Sequence, residues 1–234
     1  MHESYGDIFQ IKTFRPRGKG SNSFRIVLFC STEKTVGYFG LIRVERCVIR
    51  QYLDEVKRMV DALEGQADPL VNRLFQAYVD EKTVFLIGNG GSASNASHLG
   101  QDLSKATCMG NNGGKKFRAL SLTDNTSYIT ALANDDGYET VFATQLANFA
   151  QPDDVLVAIS GSGNSPNILR AVEYANGRQL HTIGITGFAG GKLAGMVHTH
   201  VNVPSNDIGL AEAVHSVLFH LLVAQLRERI ARIP

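Results

Sequence analysis

Five short apolar runs, each followed by small polar residues and then a stretch of helical periodicity, constrain this chain more than any other feature. They are Thr83–Gly88 (TVFLIG), Ala119–Leu122, Val155–Ile159 (VLVAI), His181–Ile185 (HTIGI) and His200–Val203. A strand with one wet face alternates apolar and polar residues, whereas a strand covered on both faces reads as a continuous apolar run. Helical patterns over 92–106, 125–149, 165–177 and 190–196 separate the runs. The alternation predicts an α/β fold, a three-layer α/β/α sandwich around a mostly parallel five-stranded sheet. A last helix over 208–232 carries Leu210, Val214, Val217, Leu218, Leu221, Leu222 and Leu226 at helical spacing.

Upstream of the first run, Val48, Ile49, Tyr52, Leu53, Val56, Met59, Val60 and Leu63 recur at helical spacing, and a second helix fits Pro69–Val79. The pair predicts an N-terminal helical hairpin of the kind that packs on a partner chain. Residues 1–43 read as an extension to a domain spanning 44–234. Within it, Phe14–Phe24 (FRPRGKGSNSF) reads as loop or disorder and Phe24–Cys30 as an added strand.

Composition closes several function classes. A formal net charge of +1 over 234 residues provides no broad basic face for nucleic acid. No run of about 18 apolar residues predicts a membrane span, and the N-terminus has no signal-peptide pattern. Cys30, Cys47 and Cys108 are far apart and form no CxxC. They predict neither a disulfide framework nor a cysteine metal site, and a reducing, cytoplasmic compartment.

In sheets of this kind ligands bind beyond the carboxyl ends of the strands, so the loops there carry the chemistry. Two stand out: Gly88-Asn89-Gly90-Gly91-Ser92-Ala93-Ser94 after the first run, and Ser160-Gly161-Ser162-Gly163-Asn164-Ser165-Pro166 after VLVAI. Each is a strand, a turn of small residues and a helix start. Glycines let backbone N–H groups approach an anion, serine hydroxyls donate to its oxygens, and the helix end adds partial positive charge. Ser165-Pro166 also reads as an N-cap followed by the first helical residue. No GxxxxGK[ST] is present, which argues against a nucleoside triphosphate. Gly88-x-Gly90-x-x-Ala93 matches a dinucleotide fingerprint, but no acidic residue ends a second strand about 20 positions on, as that fingerprint requires. Hydroxyls without a lysine favour one small phosphate monoester.

Acid, base and metal candidates lie on two helices. His98 and Asp102 are four apart and share one face. Glu212, Ser216 and His220 are spaced by fours on the last helix, and His215 lies three from Glu212. Two kinds of chemistry suit such a set. One is aldose–ketose interconversion, in which a base takes a proton from the carbon beside the carbonyl and an acid serves the enediol(ate) oxygens. The other is a zinc shell of two imidazoles and two carboxylates. Thr123-Asp124-Asn125 suits either a helix cap or a sugar contact. His198 and His200 read as surface or interface residues.

From about residue 45 onward the chain resembles the SIS (sugar isomerase) domain family, and within it the phosphoheptose isomerase group. The resemblance rests on IGNGGSASNASH (87–98), ANDDGY (133–138), DVLVAISGSGNSPNIL (154–169), TGFAGGKL (186–193) and EAVHSVLFH (212–220). It implies a flavodoxin-like SIS fold, a homotetramer with sites between subunits, and conversion of sedoheptulose 7-phosphate to a glycero-manno-heptose 7-phosphate. In many members it also implies one zinc ion per site. It further implies that Asp102 and His220 carry the proton transfers and that His98, Asp102, Glu212 and His220 ligate zinc. Asn134 and Asp135 then join Asn89, Gly90, Gly91, Ser92, Ser160, Gly161, Ser162, Ser165 and Glu212 in holding substrate. Three positions depart from the family pattern: Asp102 where Glu is usual, Glu212 where Gln is usual, and Ser160-Gly161-Ser162 where Ser-Thr-Ser is usual. SIS domains also serve as non-catalytic sugar-phosphate sensors and protein adaptors; the carboxylate–histidine set argues for an enzyme.

Overall fold

The structure, a computed structural model, describes residues 9–14, 25–30, 40–108 and 114–233. The chain divides into two units, one up to Glu55 and one from Val56 onward. In the first, β1 (Phe9–Phe14) pairs antiparallel with β2 (Arg25–Cys30), with Phe9 opposite Cys30 and Phe14 opposite Arg25. The added strand is therefore present as β2, and its partner β1 was not anticipated. The loop expected over Phe14–Phe24 lies, apart from Phe14, outside the described residues. Helix α1 (Gly40–Asp61) begins in the first unit and ends in the second.

In the second unit, helix α2 (Ala67–Val79) precedes β3 (Val84–Ile87), α3 (Gly91–Lys105), β4 (Ala119–Ser121), α4 (Thr126–Asp135) and α5 (Val141–Phe149). Then come β5 (Val155–Ser160), α6 (Pro166–Gly177), β6 (His181–Thr186), β7 (Thr199–Asn202) and α7 (Ile208–Ile230). The strands lie in the order β4-β3-β5-β6-β7. Every pairing is parallel, with Val84 beside Ala119 and Val155, Val155 beside His181, and Ile183 beside Thr199.

The continuous apolar runs have the expected cause. Both β3 and β5 are buried along their whole length, and successive side chains point to opposite faces. Val84, Leu86, Val157, Ile159 and Ile185 enter one core with Leu70, Leu99, Leu218 and Leu222 from α2, α3 and α7. Phe85, Ile87, Leu156 and Ala158 enter a second with Phe142, Leu146, Ile168 and Val172 from α5 and α6. Each fully buried aliphatic contributes roughly 1.5–3 kcal/mol. Two cores on opposite faces of one sheet make the three layers.

By length and composition α7 could cross a membrane. Here Leu210, Val214, Leu218, Leu222 and Leu226 are buried in the first core, while His220 and Gln225 are exposed. It is the central helix of a packed domain.

Two helical expectations are corrected. The span 125–149 is broken into α4 and α5 at Asp136-Gly137, where Gly137 has φ of +91° and a single turn (Tyr138–Thr140) follows. The span 190–196 is no α-helix. Gly190 and Gly191 have φ of +84° and +57°, which a right-handed helix cannot accept, and one short turn at Leu193–Gly195 remains.

His198 and His200 are tied into the sheet. The Thr182 backbone N–H donates to His198 Nδ1 at 3.1 Å, and Thr186 Oγ1 lies 2.8 Å from His200 Nε2. His198 stacks on His181 with ring centroids 5.0 Å apart. Burial, then the charges of Arg73 and His198, push the His181 pKa down from 6.5 to about 4. The folded chain thus disfavours the imidazolium. Stability should be full above pH 6.5 and fall as pH drops towards about 4. Thermal melts across that window should show the slope, and His181→Gln should reduce it, with His200 and His215 keeping a remainder because burial lowers their pKa values too.

Candidate active site

The two serine–glycine loops sit side by side because β3 and β5 are neighbours in the sheet. Two amides tie them together: Asn89 Nδ2 donates to Asn167 Oδ1 and Asn167 Nδ2 donates to Asn89 Oδ1, each at 2.9 Å. The Tyr138 hydroxyl also donates to Asn89 Oδ1 at 2.8 Å. Between the loops lies a cavity of about 480 Å³. Asn89, Gly90, Gly91, Ser92, Ser160, Gly161, Ser162, Ser165 and Glu212 line it, and Ile159, Phe188 and Ile208 complete the wall. A neighbouring hollow of about 450 Å³ shares Asn89 and Ser165 and adds Tyr138, Glu139 and Asn167.

The second loop has free donors. Ser165 is the N-cap of α6, yet its hydroxyl makes no capping bond. It lies 3.4 Å from Ser160 Oγ, and Ser162 Oγ accepts from the Asn164 N–H at 3.2 Å. The loop is braced from behind by the segment after β6. Gly187 N–H donates to the Gly161 carbonyl at 2.8 Å, Leu193 N–H to the Gly163 carbonyl at 3.0 Å, and Lys192 N–H to Asn164 Oδ1 at 3.1 Å. Gly163 has φ of +63°, and a Cβ there would strike the Gly190 carbonyl.

The first loop differs. A Cβ on Gly91 would overlap the Glu212 carboxylate, so that carboxylate rests on the first turn of α3. An anion of the chain itself already stands at this positive helix end. An incoming phosphate is therefore better received at the N-terminus of α6, among Ser160, Ser162 and Ser165.

The acid–base candidates meet elsewhere. Asp102 Oδ2 lies 3.4 Å from His98 Nε2 and 3.7 Å from His220 Nδ1. The two rings meet edge to face with centroids 5.0 Å apart. Asp102 is mostly covered, at 18% exposure, while His98 and His220 stand in solvent at 51% and 62%. Asn95 holds the two helices in register, donating to the Glu212 carbonyl at 3.3 Å and accepting from Ser216 Oγ at 2.8 Å. One ligand atom from each of His98, Asp102 and His220 lies within 4.8 Å of the others. Two imidazole nitrogens and a carboxylate oxygen with an open fourth side fit a catalytic zinc ion.

Glu212 is not in this group. It is eight residues from His220, about 12 Å along α7 at 1.5 Å per residue. Nor does the group line the loop cavity, since Asp102 lies about 16 Å along α3 from Gly91. Asn134 and Asp135 end α4, exposed, with Asn134 Nδ2 donating to Asp135 Oδ1 at 2.8 Å, and they line neither hollow.

His215 is corrected. It is fully buried, with Nε2 donating to the Thr186 carbonyl at 3.0 Å. Burial lowers its pKa against the opposing pull of that carbonyl, so it is a neutral core imidazole. Asn125 caps α4, accepting from the Tyr128 N–H at 3.0 Å, and Thr123 lies 2.9 Å from the Ser97 hydroxyl.

Asn167, Tyr138, Phe188 and Ile208 escaped the sequence reading. Only Asn167 had a legible signal, its place in the first turn of the helix after the second loop.

The SIS domain family model matches residues 51–187. A phosphoheptose isomerase of Helicobacter pylori (strain P12) is 34% identical over 169 residues, 72% of this chain and 86% of the relative. A probable phosphoheptose isomerase of Thermoplasma acidophilum is 34% identical over 185 residues, 77% and 98% of the two chains. The solved phosphoheptose isomerase of Neisseria gonorrhoeae superposes with a TM-score of 0.72 at 28% identity, covering 80% of this chain and 99% of its own. The chain belongs to the SIS domain family and, within it, to the phosphoheptose isomerase group of phosphosugar isomerase enzymes.

Proposed function

We propose that this chain interconverts sedoheptulose 7-phosphate and D-glycero-D-manno-heptose 7-phosphate through an enediol(ate). The observation that carries the reading is the combination of a hydroxyl-lined cavity with a separate His–Asp–His group, in a chain whose relatives are named phosphoheptose isomerases. Ser160, Ser162 and Ser165 hold the phosphate, and Asn89 and Ser92 meet the sugar hydroxyls. Asn134 and Asp135 add substrate contacts from a neighbouring copy, because they lie off this chain's own cavity. Asp102 of a neighbouring copy takes a proton from C1 of the ketose while His220 of that copy donates one to O2, which yields the enediol. Return of a proton to C2, with loss of the O1 proton, gives the aldose. His98 packs beside the pair and fixes the orientation of the Asp102 carboxylate.

Zinc, held by His98, Asp102 and His220, supplies Lewis acidity towards the sugar oxygens. Glu212 enters that shell from a second copy, since its own chain holds it about two helical turns away. The same separation supports a homotetramer with sites between subunits. The apolar residues Val48, Ile49, Tyr52 and Leu53 on α1 are exposed, as an assembly face requires.

Incubation with sedoheptulose 7-phosphate, followed by NMR, should show the aldose signal growing to equilibrium. Ser165→Ala should weaken substrate binding by about 10- to 100-fold, the loss of one hydrogen bond to a charged group. Zinc should raise the melting temperature of the wild type and leave His98→Ala unmoved. The distance between the group and the cavity also favours one second reading, a sugar-phosphate sensor. Tight binding without turnover or metal would select it.

A further inference from the structure

Gly161 lacks a side chain for a reason outside its own backbone. Its φ is ordinary, unlike that of Gly163 two residues on. The space a side chain would take is filled by Ile208: its Cδ1 stands where a Cβ on Gly161 would lie, and its Cγ1 is in ordinary contact at 3.7 Å. Ile208 is the first residue of α7, and the helix start that carries it is capped. Asp207 caps the helix by accepting from the Leu210 N–H at 3.1 Å, and the Asp207 N–H in turn donates to Ser205 Oγ at 3.1 Å. Even so Ile208 is 47% exposed, an aliphatic side chain left at the mouth of the cavity.

Phe188 extends the same wall. It holds φ of +48°, which a bulky residue rarely adopts. Two bonds keep it there, Phe188 N–H to the Ser205 carbonyl at 3.0 Å and Asn202 Nδ2 to the Phe188 carbonyl at 3.2 Å. Strain maintained by surrounding contacts collects at ligand sites. The cavity lining thus combines the hydroxyls of Ser160, Ser162 and Ser165 with the apolar side chains of Ile208 and Phe188.

We infer that Ile208, seated in the space Gly161 leaves, is a specificity-determining residue that selects phosphomonoesters carrying a methylene on the ester oxygen over free phosphate. This rests on the sugar-phosphate reading above. A phosphomonoester has three terminal oxygens for three hydroxyls and one ester arm to lay against the methyl groups. Free phosphate has four oxygens, and whichever meets the wall loses water without gaining a donor.

Phosphorus-31 NMR titrations with sedoheptulose 7-phosphate and with inorganic phosphate test this. Ile208→Ala should weaken the sugar phosphate about tenfold, equivalent to about 1.4 kcal/mol, and change inorganic phosphate less than about twofold. Ile208→Val, which shortens only the Cδ1 arm, should fall between. Equal losses for both ligands, or none for either, would overturn the selectivity. Gly161→Ala should lower the melting temperature, and adding Ile208→Ala should restore it. An undiminished penalty in the double variant would overturn the seating. A wild type that binds neither ligand would instead remove the sugar-phosphate reading and the selectivity with it, while the melting cycle still judges the seat.

Discussion

His220→Ala is expected to lower kcat for sedoheptulose 7-phosphate by about 10²- to 10⁴-fold, the range for removing a positioned general acid or base. The fold should persist. His220 projects from the outer side of α7 at 62% exposure, and its nearest charged neighbour is Asp102 at 3.7 Å. No core contact is lost, so melting curves should move by less than about 2 °C, as for ordinary surface substitutions. Asp102→Asn tests the carboxylate directly. The amide keeps the shape and removes the base, so kcat should fall with KM nearly unchanged. Normal turnover in either variant would sink the proton-transfer assignment.

Gly163→Ala should be the most damaging single methyl in the second loop. The residue needs φ of +63°, and the added Cβ would meet the Gly190 carbonyl, which is backbone and cannot swing aside. A left-handed conformation forced on alanine, together with a backbone collision, should cost about 3 kcal/mol. For a domain of this size that is about a 10 °C drop in melting temperature. Because the brace also sets Ser162 and Ser165, phosphate affinity should fall with stability. Gly177→Ala is the control: that glycine ends α6 with an ordinary φ and open space around it. It should change stability by less than about 0.5 kcal/mol.

The layers and the loops were legible in the sequence because each depends on local pattern. A strand covered on both faces must be apolar at every position, so TVFLIG and VLVAI declared β3 and β5 and the neighbouring turns. Pairing order was not legible, since nothing in those runs says that β3 sits between β4 and β5. His215 was misjudged for a related reason. Spacing on a helix fixes which side chains share a face, not whether that face looks into the core, and His215 looks inward at the Thr186 carbonyl. The group that could hold a metal was half legible. His98 and Asp102, four apart, needed only a helix, and His220 needed the packing of α7 on α3. Glu212 shares the side of His220 but not its level, and periodicity carries no distance along the axis beyond the residue count. The helix expected over 190–196 failed because apolar spacing outweighed two glycines whose φ values the brace demands.

The reciprocal bonds between Asn89 and Asn167 have a mechanical meaning. Each amide is both donor and acceptor to the other, so a shift of either loop breaks two bonds at once. The loops after β3 and β5 are therefore coupled into one unit. Loosening one loop should therefore loosen the other: Asn167→Ala should speed solvent exchange of the backbone amides around Asn89 as well as those of its own loop.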